Sequence, residues 1–389
     1  MALTLVSLKW IANKEFTGRP PSPRQGHAIV VVDNAAYIFG GTRCVEEPER
    51  GTFYFRDLHK LYLGKTLRWE KIRYTGEVPM GRHDHALCAI NNKLYVFGGR
   101  NELNADESLP GLYSYNPENC IWRFVQTHGD EPRSLNSGWV VVNNKIYVIG
   151  GIYKGTAHCD VDMLDTDTLT WTKLSVTGPP PSPRCDHKLV CVGNRIYLFG
   201  GSGGQDRWFN DLHVLDTDTL KWSSPPTRGE KPPPRGSHSL TLHADKDIYM
   251  FGGSNDSLKG KSTLGDLHKL SLAKMKWKRP FYSGSPASRR FGHVACTFLN
   301  YLYVFGGTNE DMDYNDVKVA KLINPSNRKP LKVSPELLHT VLYGSPEDND
   351  VGTPAAMVPS SPTDDNRDQR SSSEASSSSS NSDSSSDED

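Results

Sequence analysis

An all-β ring of six four-stranded antiparallel blades is the fold class that the sequence predicts, on three observations. A strand-like segment ending in a glycine pair recurs six times, as Tyr37-Ile38-Phe39-Gly40-Gly41 and again at 95–99, 147–151, 197–201, 249–253 and 303–307. An arginine stands 16 or 17 residues before each first glycine (Arg24, Arg82, Arg133, Arg184, Arg235, Arg290), and in five of the six units a histidine follows it three positions later. A tryptophan closes each of the first five units, as Trp69, Trp122, Trp171, Trp222 and Trp277. The first glycines lie 50 to 58 residues apart, room for four short strands with turns, and repeats of this period stack or close on themselves.

Each strand of the unit has its own signal. The first, as in Ala28-Ile29-Val30-Val31-Val32, is apolar at successive positions, the mark of a strand sandwiched between sheets rather than half exposed. Asp33-Asn34, Asn91-Asn92, Asn143-Asn144 and Gly193-Asn194 follow, residues that tolerate the positive φ of a tight hairpin. The second strand runs into the glycine pair, where backbone turns sharply or approaches a neighbour closely. No helix start follows those glycines, so they do not read as a phosphate cradle. The third strand is the type Asp211-Leu212-His213-Val214-Leu215, and the fourth carries the tryptophan. Unit six lacks a tryptophan after Gly307, whereas Trp10 precedes Arg24 by 14 residues, close to the 11 to 13 that separate the other tryptophans from the next arginine. The segment 6–12 is therefore expected to cross over and complete the sixth blade, leaving no free sheet edge in the ring. His27, His85, His187, His238 and His293 occupy one periodic position and His59, His213 and His268 another, which reads as structure; unit three has Ser137 instead.

These co-registered residues resemble the kelch repeat from residue 1 to about 324. The resemblance implies a β-propeller, one four-stranded sheet per blade. The expected organisation is a six-bladed propeller over 1–324, an extension over 325–345 and a disordered tail over 346–389. The whole chain carries 45 basic and 45 acidic residues, but eleven acidic and two basic ones fall in 346–389, leaving 43 against 34 upstream. Within that tail, residues 371–389, a serine and acid tract whose one apolar residue is Ala375, cannot offset their ordering entropy by burial. Ser384, Ser385 and Ser386 each have an acid three positions on and are phosphorylation candidates of the kind acidophilic kinases favour.

An enzyme is not expected. No G-x-S-x-G, H-E-x-x-H or P-loop pattern occurs, and His158-Cys159-Asp160 lacks a second group at zinc-ligand spacing, so no catalytic residue, metal or cofactor is assigned. Seven scattered cysteines without a C-x-x-C pair suggest a reducing compartment, and no apolar run approaches the ~18 residues of a membrane span. The expectation is a monomeric propeller in cytoplasm or nucleus, with no membrane contact. Nucleic acid is disfavoured, because the excess positive charge of the body is dilute. What remains is a protein-interaction platform, an adaptor or scaffold. Its partner protein or peptide would dock on the face carrying the loops between second and third strands and between blades, since loops on a rigid scaffold carry recognition. Arg43, Arg56, Arg100, Tyr153, Arg207 and Trp208 are the candidate contacts, arginine and large aromatics being the usual binding anchors. The kelch resemblance also implies an alternative, a substrate receptor of a cullin-RING ubiquitin ligase. Leu337-Leu338-His339 loosely resembles a cullin box, although no cysteine of an elongin-binding box exists after Cys296.

Overall fold

The computed structural model describes residues 3–12, 14–45, 51–103, 106–204, 206–256, 262–323 and 330–332. The expected extension is described only at Pro330–Lys332; the tail and its three serines lie outside the described residues. Six antiparallel blades follow one another around an axis. Blade one consists of Ala28–Val32, Ala35–Phe39, Leu58–Tyr62 and Leu67–Lys71, and the others repeat this order. Blade six is built from Val294–Phe298, Tyr301–Phe305, Val317–Leu322 and, as its fourth strand, Leu8–Trp10. There Leu8, Lys9 and Trp10 pair with Leu322, Lys321 and Ala320, so the ring closes as the spacing of Trp10 predicts. A second pairing, Leu3–Leu5 with Pro330–Lys332, has no counterpart in the repeat and was not legible from it. No helix among the described residues is long and apolar enough to cross a membrane.

Four blades are five-stranded. The chain entering a blade first runs along that blade's own outer strand as a two-residue parallel strand, as Phe16–Thr17 does beside Leu67 and Arg68, before turning to the centre. The next residue must be glycine: a Cβ on Gly18, which has φ +76, would sit 2.1 Å from the carbonyl oxygen of Trp69. This cover occupies much of the exposed edge of each outer strand, which would otherwise invite pairing with other chains.

The core lies between blades rather than within them. The tryptophan of one blade packs on the aromatic residue before the glycine pair of the preceding blade. Trp122 sits on Phe39 with ring centroids 5.3 Å apart, Trp171 on Phe97 at 5.7 Å, and Trp277 on Phe199 at 5.0 Å. Trp10 sits on Phe251 at 6.1 Å and Trp69 on Phe305 at 6.2 Å, carrying the same contact across the closure. Burying such large rings against a neighbour makes each blade's stability depend on the next.

Candidate functional site

The face carrying the loops between second and third strands rests on a repeated polar unit. Arg184, fully buried, donates from Nη1 to the Gly200 carbonyl at 3.0 Å and forks onto Asp211 at 2.6 and 2.9 Å. Arg24 with Asp57, Arg235 with Asp266 and Arg290 with Asp316 repeat this geometry. In three units a histidine two residues on bonds the same carboxylate: His59 to Asp57 at 2.8 Å, His213 to Asp211 at 2.9 Å and His268 to Asp266 at 2.7 Å. Burial alone would raise these carboxylates, but the bonds from histidine and arginine outweigh it and hold Asp57, Asp211 and Asp266 well below the usual range. An aromatic ring covers the guanidinium in three of the four units, Phe55, Phe209 and Tyr314 lying 4.0 to 4.1 Å from it. The periodic histidines of the third strand are thus structural, as expected, and the aspartate partners are what sequence reasoning missed.

The first-strand histidines lock blade to blade. A Cβ on Gly40 would meet the ring of His85 at 2.6 Å, and Gly200, Gly252 and Gly306 face His238, His293 and His27 in the same way. The second glycine of blade one donates its N–H to the Arg82 carbonyl at 2.8 Å, and Gly307 donates to Arg24 at 2.9 Å across the closure. The glycine pair therefore exists for close approach, and no phosphate is needed to account for it.

Blades two and three depart from the pattern. Arg82 finds no aspartate; it donates to the Gly98 carbonyl at 2.8 Å and the Met80 carbonyl at 3.1 Å beside the ring of Tyr113, and burial lowers it to about 10. Arg133 turns away to the Ser108 carbonyl at 3.0 Å and to Glu107 at 3.5 Å. Asp160, in the aspartate position, holds Lys173 at 2.8 Å, and Asp162, in the histidine position, is pushed up to about 6 by burial. His158 bridges Ser134 Oγ at 2.6 Å and Asp160 at 3.4 Å, the order of a serine-hydrolase triad. The Asp160 backbone N–H also reaches His158 Nδ1, at 3.3 Å. The group ties the third strand of the blade to the segment that leads into its first strand. No cluster of three or more potential metal ligands occurs among the described residues.

At the axis the first strands line a cavity of about 400 Å³ with walls of mixed polar and apolar character. Its mouth on the loop face is ringed by Gly26, Asp84, Asn136, Asp186, Ser237 and Gly292, the residues just before the first-strand histidine or Ser137. Their backbones bond around the circle, Asp84 to Gly26 at 2.7 Å, Asp186 to Asn136 at 3.0 Å and Ser237 to Asp186 at 3.0 Å. Burial raises Asp186, with Asp84 adding to the effect, while burial of Asp84 is outweighed by His83, 2.9 Å away, which lowers it.

All six residues expected to contact a partner lie in second-to-third-strand loops, on this one face. They do not form one cluster. Arg43 sits on a hairpin, Thr42–Val45 with Gly51–Tyr54, directly across from Phe53, which is 48% exposed. Arg56 is exposed, and its carbonyl accepts from the Tyr74 hydroxyl at 2.7 Å. Arg100 lies 3.9 Å from the Asp84 carboxylate at the axial mouth. Tyr153, 40% exposed, ends an extended second strand in blade three, with Lys154 Nζ 5.1 Å from its ring centroid. In blade four the adjacent Arg207, Trp208 and Phe209 separate: Phe209 is taken up beneath Arg184, Arg207 is exposed, and Trp208 leans over the next blade, 2.8 Å from where a Gly236 Cβ would be.

A family model described as the KLHDC2/KLHL20/DRC7 Kelch-repeats domain matches residues 1–137 and 186–335, and the Kelch motif matches 133–175. The chain belongs to the kelch-repeat family. Among curated relatives, the kelch chain is 34% identical over 277 residues to host cell factor 1 of Homo sapiens, a match covering 65% of this chain and 13% of that protein. It therefore spans only a small part of the length of that relative. Kelch domain-containing protein 2 of Bos taurus is 29% identical over 314 residues, 74% of this chain and 76% of that one. The solved structure of YjhT superposes with a TM-score of 0.63 at 17% identity, covering 81% of this chain and 99% of its own, which bears on fold alone.

Proposed function

We propose that the protein is a non-catalytic kelch propeller that recruits a partner protein or peptide on its loop face, as an adaptor or scaffold acting as a monomer in cytoplasm or nucleus. The observation that carries this reading is a division of labour within that face. The buried arginine, aspartate and histidine units are occupied with holding the loops, while Arg43, Arg56, Arg100, Tyr153, Arg207 and Trp208 stand above them with side chains partly or fully open to solvent. Rigid loops bearing arginine and aromatic residues offer a partner pre-organised anchors at little ordering cost. In this reading 1–324 is the binding domain, and 346–389 is a tail whose Ser384, Ser385 and Ser386 receive phosphate. Affinity purification of the full chain beside an Arg207→Ala, Trp208→Ala variant tests it: proteins lost from the variant and retained by the parent are the expected result. Equal recovery from both would overturn the face assignment. Stoichiometric elongin and cullin in both samples would instead favour the ligase-receptor reading, which rests on Leu337, Leu338 and His339 outside the described residues.

A further inference from the structure

The seam where the ring closes sets two lysines opposite each other with no carboxylate in reach among the described residues. In blade six Tyr301 pairs with Lys321 and Lys321 with Lys9, a transverse row across three strands. Residues directly opposite in an antiparallel pair share a face, so two ammonium groups stand side by side on the strand pair that shuts the propeller. Both are exposed. Lys14 adds a third charge, its Nζ 5.4 Å from the Tyr301 ring centroid. The repeat supplies its own comparisons: blade five also sets Lys269 opposite Lys278 beside Tyr249, but there Asp247 holds Lys269 Nζ at 2.8 Å, and other blades differ at the row of Tyr301 itself. Blade four sets Asp216 opposite Lys221, with Arg195 at 3.6 Å. Blade three has Asp165 3.5 Å from Lys145, and blade one has Tyr62 opposite Arg68, stacked at 3.9 Å. Like charges set opposite one another weaken a strand pair. Among the described residues no carboxylate lies within ion-pair distance of Lys9, Lys14 or Lys321.

We propose that this rim is a second docking site, separate from the loop face, for an acidic segment of a partner protein whose carboxylates seat among Lys9, Lys14 and Lys321. An extended acidic run presents every second side chain on one side at a spacing of about 7 Å, which the long flexible lysine side chains on strands about 5 Å apart can reach by splaying. A nucleic-acid strand fits less well. The aromatic face at hand, Tyr301, is already covered by Lys14, which removes the stacking platform single strands use, and three charges make no phosphate-tracking stripe. A carboxylate bridging Lys9 and Lys321 relieves their repulsion and ties Leu8–Trp10 to Val317–Leu322. Occupancy of the rim therefore tightens the closure of the ring.

The test uses the full chain and a labelled oligoglutamate peptide, read by fluorescence anisotropy and thermal unfolding at low salt. The peptide is expected to bind and to raise the Tm. Lys321→Glu is expected to raise the Tm without peptide, by giving Lys9 an opposite charge, and to weaken peptide binding by about fivefold or more. Lys9→Gln, which keeps the strand and removes one charge, is expected to weaken binding in the same direction, whereas Lys221→Gln in blade four leaves it unchanged. Absence of peptide binding overturns the proposal. So does a Lys321→Glu protein with a lower Tm than the parent, an affinity indifferent to both Lys321→Glu and Lys9→Gln, or tighter binding of an oligothymidylate than of the peptide.

Discussion

Mild acid should destabilise this propeller before the carboxylates held by arginine and histidine titrate, because the first-strand histidines are buried without charge. Burial, with Arg24 and Arg184 adding to it, pushes His27 and His187 down to about 3, and burial moves His85, His238 and His293 in the same direction. In the unfolded chain these imidazoles return to ~6.5. Between the two values the unfolded state binds a proton that the native state refuses, so stability is complete above ~6.5 and falls as the pH drops toward the folded value. At about pH 5 each histidine with a folded value near 3 has cost about 2 kcal/mol, so His27 and His187 together about 4 kcal/mol, a large share of the stability of an ordinary domain, and His85, His238 and His293 act in the same direction. Asp57, Asp211 and Asp266, held low by arginine and histidine, lose their contribution only below ~4, in a separate window. Thermal unfolding followed by circular dichroism in steps from about pH 7 to about pH 5 measures the slope. His187→Ser, which copies Ser137 of blade three, should lower the Tm at neutral pH and flatten that slope. A Tm constant down to about pH 5 that collapses only below ~4 would show that the carboxylates govern the transition and that the histidines do not.

Trp10→Ala removes the ring that Phe251 packs against and should cost about 3–5 kcal/mol, with loss of a single cooperative thermal transition if the closing strand detaches. Arg235→Ala leaves the Asp266 carboxylate without its bidentate partner; chemical denaturation should show a loss of about 3–5 kcal/mol, against a smaller loss for Arg133→Ala, whose side chain is outward and more exposed. Trp208→Ala should weaken partner binding by about thirtyfold if it is an anchor. Gly236→Ala is the companion, since the added Cβ crowds Trp208 at 2.8 Å without deleting it; calorimetry should show reduced affinity for both variants, and a fall in Tm with unchanged affinity would make Trp208 a packing group.

The blade count, the order of strands and the closure through Trp10 could be read from spacing, because every blade must present the same residues to its neighbour. Reading the polar unit stopped half-way. Arg184 and His187 stand close together in sequence and drew notice, but the carboxylate that fixes Arg184 lies 27 residues on, beyond any local motif. The parallel fifth strands are two residues long, too short for a periodicity signal. The divergence of Trp208 from Phe209 depends on which ring a buried guanidinium takes, a tertiary choice that composition does not encode. Blade three was visible as an exception through Ser137, while the rerouting of Arg133 to Glu107 needed coordinates.

The closing strand also sets an order of events during synthesis. Leu8–Trp10 is made before the five blades that separate it from its antiparallel partner Val317–Leu322. Until then the early strand has no sheet to join, and Trp10 has no Phe251 to cover it. Nascent chains thus carry an orphan strand until the sixth blade is made, a natural client for a ribosome-associated chaperone and a point at which a premature stop leaves a chain that cannot shut.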